Sequence, residues 1–140
     1  MIERAIFYPA LAMVALTFAV WVRLFFSRIG EMKRERIHPQ SIAQSAQAAT
    51  RLADTRAADN FRNLFELPVL FYLALVIAAL TAQVTTVTLV LAWAFVALRI
   101  AHSVIHCGYN KVMHRFRVYF VGGMVLWLLW GAVTVGLLRG

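Results

Sequence analysis

The sequence has one cysteine, Cys107, three prolines and only 6 acidic side chains in 140 residues. A single thiol cannot close an internal disulfide, and four histidines with one cysteine match no structural zinc spacing, so both covalent and metal staples are excluded. Charged residues make up 14% of the chain, well below the roughly 25% of an ordinary soluble domain, whereas apolar residues reach 62%. A chain of 15.8 kDa with a mean hydropathy of +0.74 has too little interior to hide that excess from water. The solvent it implies is lipid. The charge is also one-sided, with 14 Lys and Arg giving a net +8. In a membrane chain such an excess is first a topology signal, and nucleic acid is set aside as a partner.

Apolar runs of spanning length occupy about residues 5–26, 61–80, 84–106 and 118–138. Each is near the roughly 20 residues that a helix needs to cross a bilayer. The runs are continuous instead of alternating and too long for strands of a lipid-facing barrel. The reading is therefore all-α: one domain over residues 1–140, an integral, multi-pass membrane four-helix bundle in contact with membrane lipid. The first run is longer than a signal core and lacks a small-residue cleavage site after it, so it is read as retained.

The loop over about residues 28–60 carries Arg28, Lys33, Arg34, Arg36, Arg51 and Arg56, and the loop after the third run carries Lys111, Arg115 and Arg117. The turn around Thr81 to Thr86 has no charge, and the termini carry only Arg4 and Arg139 as basic side chains. These loops predict a cytoplasmic basic end and termini on the non-cytoplasmic side. The compact size and lack of a targeting extension point to a bacterial inner membrane. Within the long loop, His38-Pro39 breaks any preceding helix, and Ser41 to Ala58 predicts a surface helix.

Ionisable residues inside a span cost a few kcal/mol unless paired or wet, so they are the informative ones. Arg62, Asn63 and Glu66 fall within one turn of the second run, with Asn63 and Glu66 on one face. Arg99, His102 and His106 make one stripe along the third. Counted from the uncharged turn, Glu66 and Arg99 both lie about 21 to 22 Å deep. That level match predicts a Glu66–Arg99 pair between antiparallel neighbours. Arg115, Arg117 and Tyr119 then open the fourth run at the same edge, predicting one wet, positive pocket. A buried ion pair can also simply lock a bundle. Two histidines with Glu66 as third ligand would make a conceivable metal site, but the adjacent arginines repel a cation, and no metal is expected.

The stretch Arg62-Asn63-Leu64-Phe65-Glu66-Leu67-Pro68, with Arg99-Ile100-Ala101-His102 and Arg115-Phe116-Arg117-Val118-Tyr119, resembles the MAPEG family, membrane-associated proteins in eicosanoid and glutathione metabolism. The resemblance implies a homotrimer of four-helix bundles, with glutathione as cosubstrate held between subunits and a lipophilic small-molecule substrate arriving from the bilayer. Arg62, Asn63, Glu66, Arg99, His102 and Tyr119 stand at family positions associated with glutathione binding. His106 stands where several relatives carry a tyrosine and is counted with them. Arg115 matches the arginine proposed to stabilise the thiolate, and is the expected catalytic residue. A guanidinium suits that role, since a thiol with an ordinary pKa of about 8.5 is mostly protonated at neutral pH and a fixed cation favours its ionised form. Phe116 stands where the prostaglandin E synthase branch has a serine, which argues against that isomerase activity.

The function expected is a membrane glutathione-dependent transferase or peroxidase acting on a lipophilic electrophile or hydroperoxide. The alternative is a catalytically silent trimeric membrane scaffold or lipid-binding protein. An ion or proton transporter is weaker, because the polar residues cluster in one leaflet. Trp127 and Trp130 are read as core or assembly packing, Gly122, Gly123, Ala132 and Gly136 as points of close helix approach, and Cys107 as a passive thiol.

Overall fold

The chain is described over residues 2–139 in a computed structural model. A short α1 (Ile2–Ala5) leads into α2 (Phe7–Arg34). A 3-10 turn at Pro39–Ile42 precedes α3 (Ser45–Arg51), α4 (Arg56–Asn63), α5 (Leu67–Leu80), α6 (Thr86–Cys107) and α7 (Val112–Arg139). Every regular element among the described residues is helical. Phe7–Arg34, Arg56–Leu80, Thr86–Cys107 and Val112–Arg139 are long and apolar enough to cross a membrane.

The bounds differ from the apolar runs mainly at the basic end. α2 continues to Arg34, because Arg, Glu, Met and Lys propagate a helix as well as apolar residues do. It stops where Arg36 takes a positive φ of 52° just before His38-Pro39. At 28 residues α2 is about 42 Å long, more than the roughly 30 Å hydrocarbon layer, so part of it lies beyond the lipid. The surface helix expected over Ser41 to Ala58 is divided into the 3-10 turn, α3 and the first residues of α4.

The second span is also divided, and this corrects the face-sharing argument for Asn63 and Glu66. α4 ends at Asn63, and Glu66 at φ −94°, ψ −105° precedes α5. Pro68 explains the break: it has no N–H for the Leu64 carbonyl, and its ring would press on that same carbonyl in a continuous helix. Glu66 consequently faces outward and is exposed.

α2 packs on α4, α5 and α6, while α7 packs along α6 and against α5. The closest backbone approaches of α5 are to α2 and α7. It reaches α6 by side chains, with Phe71 stacked on Phe95 at 4.7 Å between ring centroids. The core joins Ile6, Met13 and Val20 to Phe71, Ala74, Leu75 and Ala78, to Ala92, Phe95 and Val96, and to Leu126, Leu129 and Val133. In lipid this packing stabilises by dispersion and fit, since leaving the acyl phase offers no hydrophobic gain. At the far end Thr85 and Thr88 form a reciprocal capping box that starts α6. Trp130 packs against the core, whereas Trp127 is 60% exposed and belongs to the outer face. The Gly136 backbone leaves room for the Gln83 side chain, so that small residue receives a side chain from the turn and not a neighbouring helix.

At the basic end a carboxylate ties the loop to the bundle. Glu31, 5% exposed, accepts from the backbone N–H groups of Ala53 and Asp54. Arg56 grips Asp54 through Nε and Nη2 at 2.8 and 2.9 Å, and this pairing holds the Asp54 carboxyl below the usual carboxylate range. Glu31→Ala leaves two backbone donors without their acceptor and is expected to destabilise the solubilised protein by about 1–3 kcal/mol. The measurement is the midpoint of thermal unfolding; an unchanged midpoint would mean that the carboxylate does not hold the loop.

Candidate functional site

The break after α4 sets up the site. Because α4 stops at Asn63, its carbonyl leaves the regular helical ladder, takes only a long 3.4 Å bond from the Glu66 N–H, and is open to a group on another helix. Arg99 of α6 supplies that group, donating Nη2 to the Asn63 oxygen at 2.9 Å. The expected Glu66–Arg99 pair is thus replaced by Asn63–Arg99. No carboxylate among the described residues lies within ion-pair distance of Arg99.

Arg99 is 1% exposed, and its Nε and Nη1 have no protein partner. Its Cζ lies 5.7 Å from the centroid of the Tyr119 ring. Tyr119 in turn stands 5.7 Å from the His102 ring, and His102 makes an edge contact with His106 at 5.4 Å. An open cavity of about 230 Å³ results, walled by Asn63, His102, Val112, Arg115, Phe116 and Tyr119. Residues from three separated stretches of sequence therefore share one concavity, with a buried cation behind its Tyr119 wall.

Arg115 enters from the first turns of α7. Its Nη1 donates to Asn110 Oδ1 at 2.9 Å and meets His106 Nε2 at 2.9 Å. His106 is 2% exposed and sits behind Arg115, away from the cavity wall. Arg62 is also apart from this cavity: it is exposed, pairs loosely with Asp59 at 3.8 Å, and borders a separate recess beside α3. Of the eight residues named from sequence, the structure places Asn63, His102, Arg115 and Tyr119 on the wall, Arg99 and His106 behind it, and Glu66 and Arg62 outside it.

Several supporting residues escaped the sequence reading. Asn110 closes the α6–α7 turn with φ 50°, a conformation Asn tolerates better than most residues, while its side chain holds Arg115. An Asn just after Gly-Tyr in a tight turn was the available signal. Asn60, fully buried, donates to the Cys107 sulfur at 3.4 Å and accepts from Ser103, also at 3.4 Å. Arg23 and Arg56 donate to the carbonyls of Cys107 and Gly108 at 2.7 and 2.6 Å, capping the end of α6. Gly108 cannot be enlarged there, since a Cβ would lie 2.6 Å from the Val104 carbonyl oxygen.

A second, larger concavity has different chemistry. About 510 Å³ in volume, it lies between α2 and the α4–α5 break, lined by Val14, Thr17, Phe18, Trp21, Phe61, Leu64, Phe65, Val69 and Tyr72. It contains no ionisable group apart from the tyrosine phenol. Among the described residues no cluster of three or more His, Cys, Asp or Glu side chains gathers in a metal-binding arrangement.

No individual curated protein and no solved structure matches the chain. The model of the MAPEG family matches residues 6–135, a stretch that contains all four spans' cores and every residue of the cavity wall. With that coverage, the chain belongs to the MAPEG family.

Proposed function

We propose that this protein is a glutathione-dependent transferase or peroxidase of the membrane, acting on a lipophilic electrophile or hydroperoxide. Family membership and the four apolar spans fit a glutathione-related membrane protein. The observation that carries the finer reading is the cavity that joins Asn63, His102, Arg115 and Tyr119 in front of the buried, carboxylate-free Arg99. A guanidinium with two unpartnered nitrogens in a medium of low polarity favours an anion nearby. Glutathione offers two carboxylates and an ionisable thiol, which suits a site built from arginine, amide, imidazole and phenol.

In this reading Arg115 stabilises the thiolate, and the thiolate sulfur then forms a bond to the electrophilic carbon while the leaving group departs with its electron pair. With a hydroperoxide, the sulfur takes the terminal oxygen and an alcohol is released. The basic loops face the cytoplasm, so the cavity opens near that surface of a bacterial inner membrane. The exposed apolar face of α2 and the outward Trp127 are covered by lipid or by further copies in a homotrimer, in which Glu66 and Arg62 come to bear on glutathione bound between subunits.

Calorimetric titration of the purified protein with glutathione tests this. Saturable binding at millimolar ligand or below, reduced in Arg115→Leu, is the expected result. No uptake by a well-folded protein would remove the glutathione reading and favour the scaffold.

A further inference from the structure

We infer that His106 and Asn110 form a clamp that saturates Nη1 of Arg115 and so presents the opposite edge of the guanidinium, Nε–H with Nη2–H, to the cavity. This rests on the glutathione reading for its ligand, but the clamp itself is a property of the chain. The clamp makes His106 a positioning residue and not a ligand contact.

The geometry follows from donor counting. A guanidinium has five N–H donors and no acceptor, so the 2.9 Å contact between Arg115 Nη1 and His106 Nε2 has one possible sense: Arg115 donates and the imidazole accepts. The same nitrogen donates its second hydrogen to Asn110 Oδ1. Nη1 is then fully used. Among the described residues Nε and Nη2 of Arg115 make no hydrogen bond, and the side chain lines the cavity. Those two nitrogens carry parallel N–H bonds at the spacing of a carboxylate, or can converge on one soft anion such as a thiolate.

His106 serves as acceptor only as the neutral imidazole with its proton on Nδ1. Its Nδ1 is buried without a protein partner, and its ring meets His102 edge-on. Asn110 is suited to its part twice over: the positive φ that closes the turn also brings its amide under Arg115. An unclamped arginine at the start of α7 would spread over many rotamers, and the free edge would not be aimed.

The test uses the full-length protein in detergent, labelled with 15N-histidine, with His106→Gln identifying the His106 signals. The expected spectrum shows an acceptor-type Nε2 and a protonated Nδ1 for His106, and this pattern is lost in Arg115→Leu. A second arm measures steady-state kinetics with glutathione and an apolar aryl chloride. His106→Leu and Asn110→Gly, the latter keeping the positive φ, should each lower kcat about tenfold with KM for glutathione changed less than about twofold. His106→Gln retains an acceptor at the Nε2 position and should recover most of the loss in His106→Leu. Tautomer averaging at His106 that is the same with and without Arg115 overturns the clamp. Equal kinetics in all variants, or no rescue by Gln, overturns its positioning role. An intact clamp spectrum in a protein that takes up no glutathione supports the clamp and removes only the identity of its ligand.

Discussion

Arg115→Leu is expected to lower glutathione-dependent turnover by about two to three orders of magnitude, the range seen when one preorganised donor to a developing anion is removed. The side chain is half-buried on the wall of the cavity, and of its guanidinium nitrogens the protein engages Nη1. A fixed charge at contact distance stabilises an anion even in this open cavity, and more than it would between two groups free in water. The fold should survive the change, because both protein partners of Arg115, His106 and Asn110, are fixed by α6 and by the turn's own backbone bonds. Arg115→Lys should fall between, since an ammonium keeps the charge but cannot supply two parallel donors. The comparison is kcat/KM in proteoliposomes, alongside thermal unfolding as a control. A loss smaller than about threefold with normal folding would show that Arg115 does not serve the thiolate.

Arg99→Met is expected to act in opposite directions on stability and on ligand affinity. In the unliganded protein Arg99 is a cation with one hydrogen bond, two unpartnered nitrogens and no carboxylate within ion-pair distance. Replacing such a group with an apolar chain of similar length removes an uncompensated charge, and should raise unfolding stability by about 1–3 kcal/mol. The Asn63 carbonyl loses its shorter bond in exchange and keeps only the long one from the Glu66 N–H at 3.4 Å, which offsets about 1 kcal/mol. Glutathione affinity should meanwhile fall about tenfold or more, because the positive potential behind Tyr119 disappears. Thermal unfolding and calorimetry on the same preparation read both effects. A variant that is less stable, or that binds as tightly as the parent, would mean that Arg99 is a structural strut and not a source of field for a ligand.

The parts of this protein that were legible in the sequence are those set by local composition. The uninterrupted apolar runs identify the spans, and the i, i+3, i+7 spacing of Arg99, His102 and His106 puts them on one stripe of α6, as the structure has them. What depended on a single backbone event was hidden. The depth count brought the second span's polar group to the level of Arg99, but the interruption at Leu64 to Glu66 decided that a main-chain oxygen and not a carboxylate would meet the guanidinium. Pro68 is visible in the sequence, but its effect falls on the residues around the Leu64 carbonyl, four positions before it, where periodicity shows nothing. Asn110, Asn60 and Ser103 are ordinary polar residues in their own windows. Their partners lie in other elements or across a turn, so periodicity carries no trace of them.

The caps on α6 bear on how the chain matures. Arg23 reaches the carbonyl of a residue 84 positions later, and Arg56 one 52 positions later. During synthesis both guanidinium groups emerge well before those oxygens exist, and the end of the third span must arrive before the first loop can take its final shape. Insertion of the early helices and tightening of the loop are therefore separate events in time, and a chain truncated before Cys107 would keep its first spans and the Glu31 tie to the loop while lacking the contacts that fasten Arg23 and Arg56 to the third span.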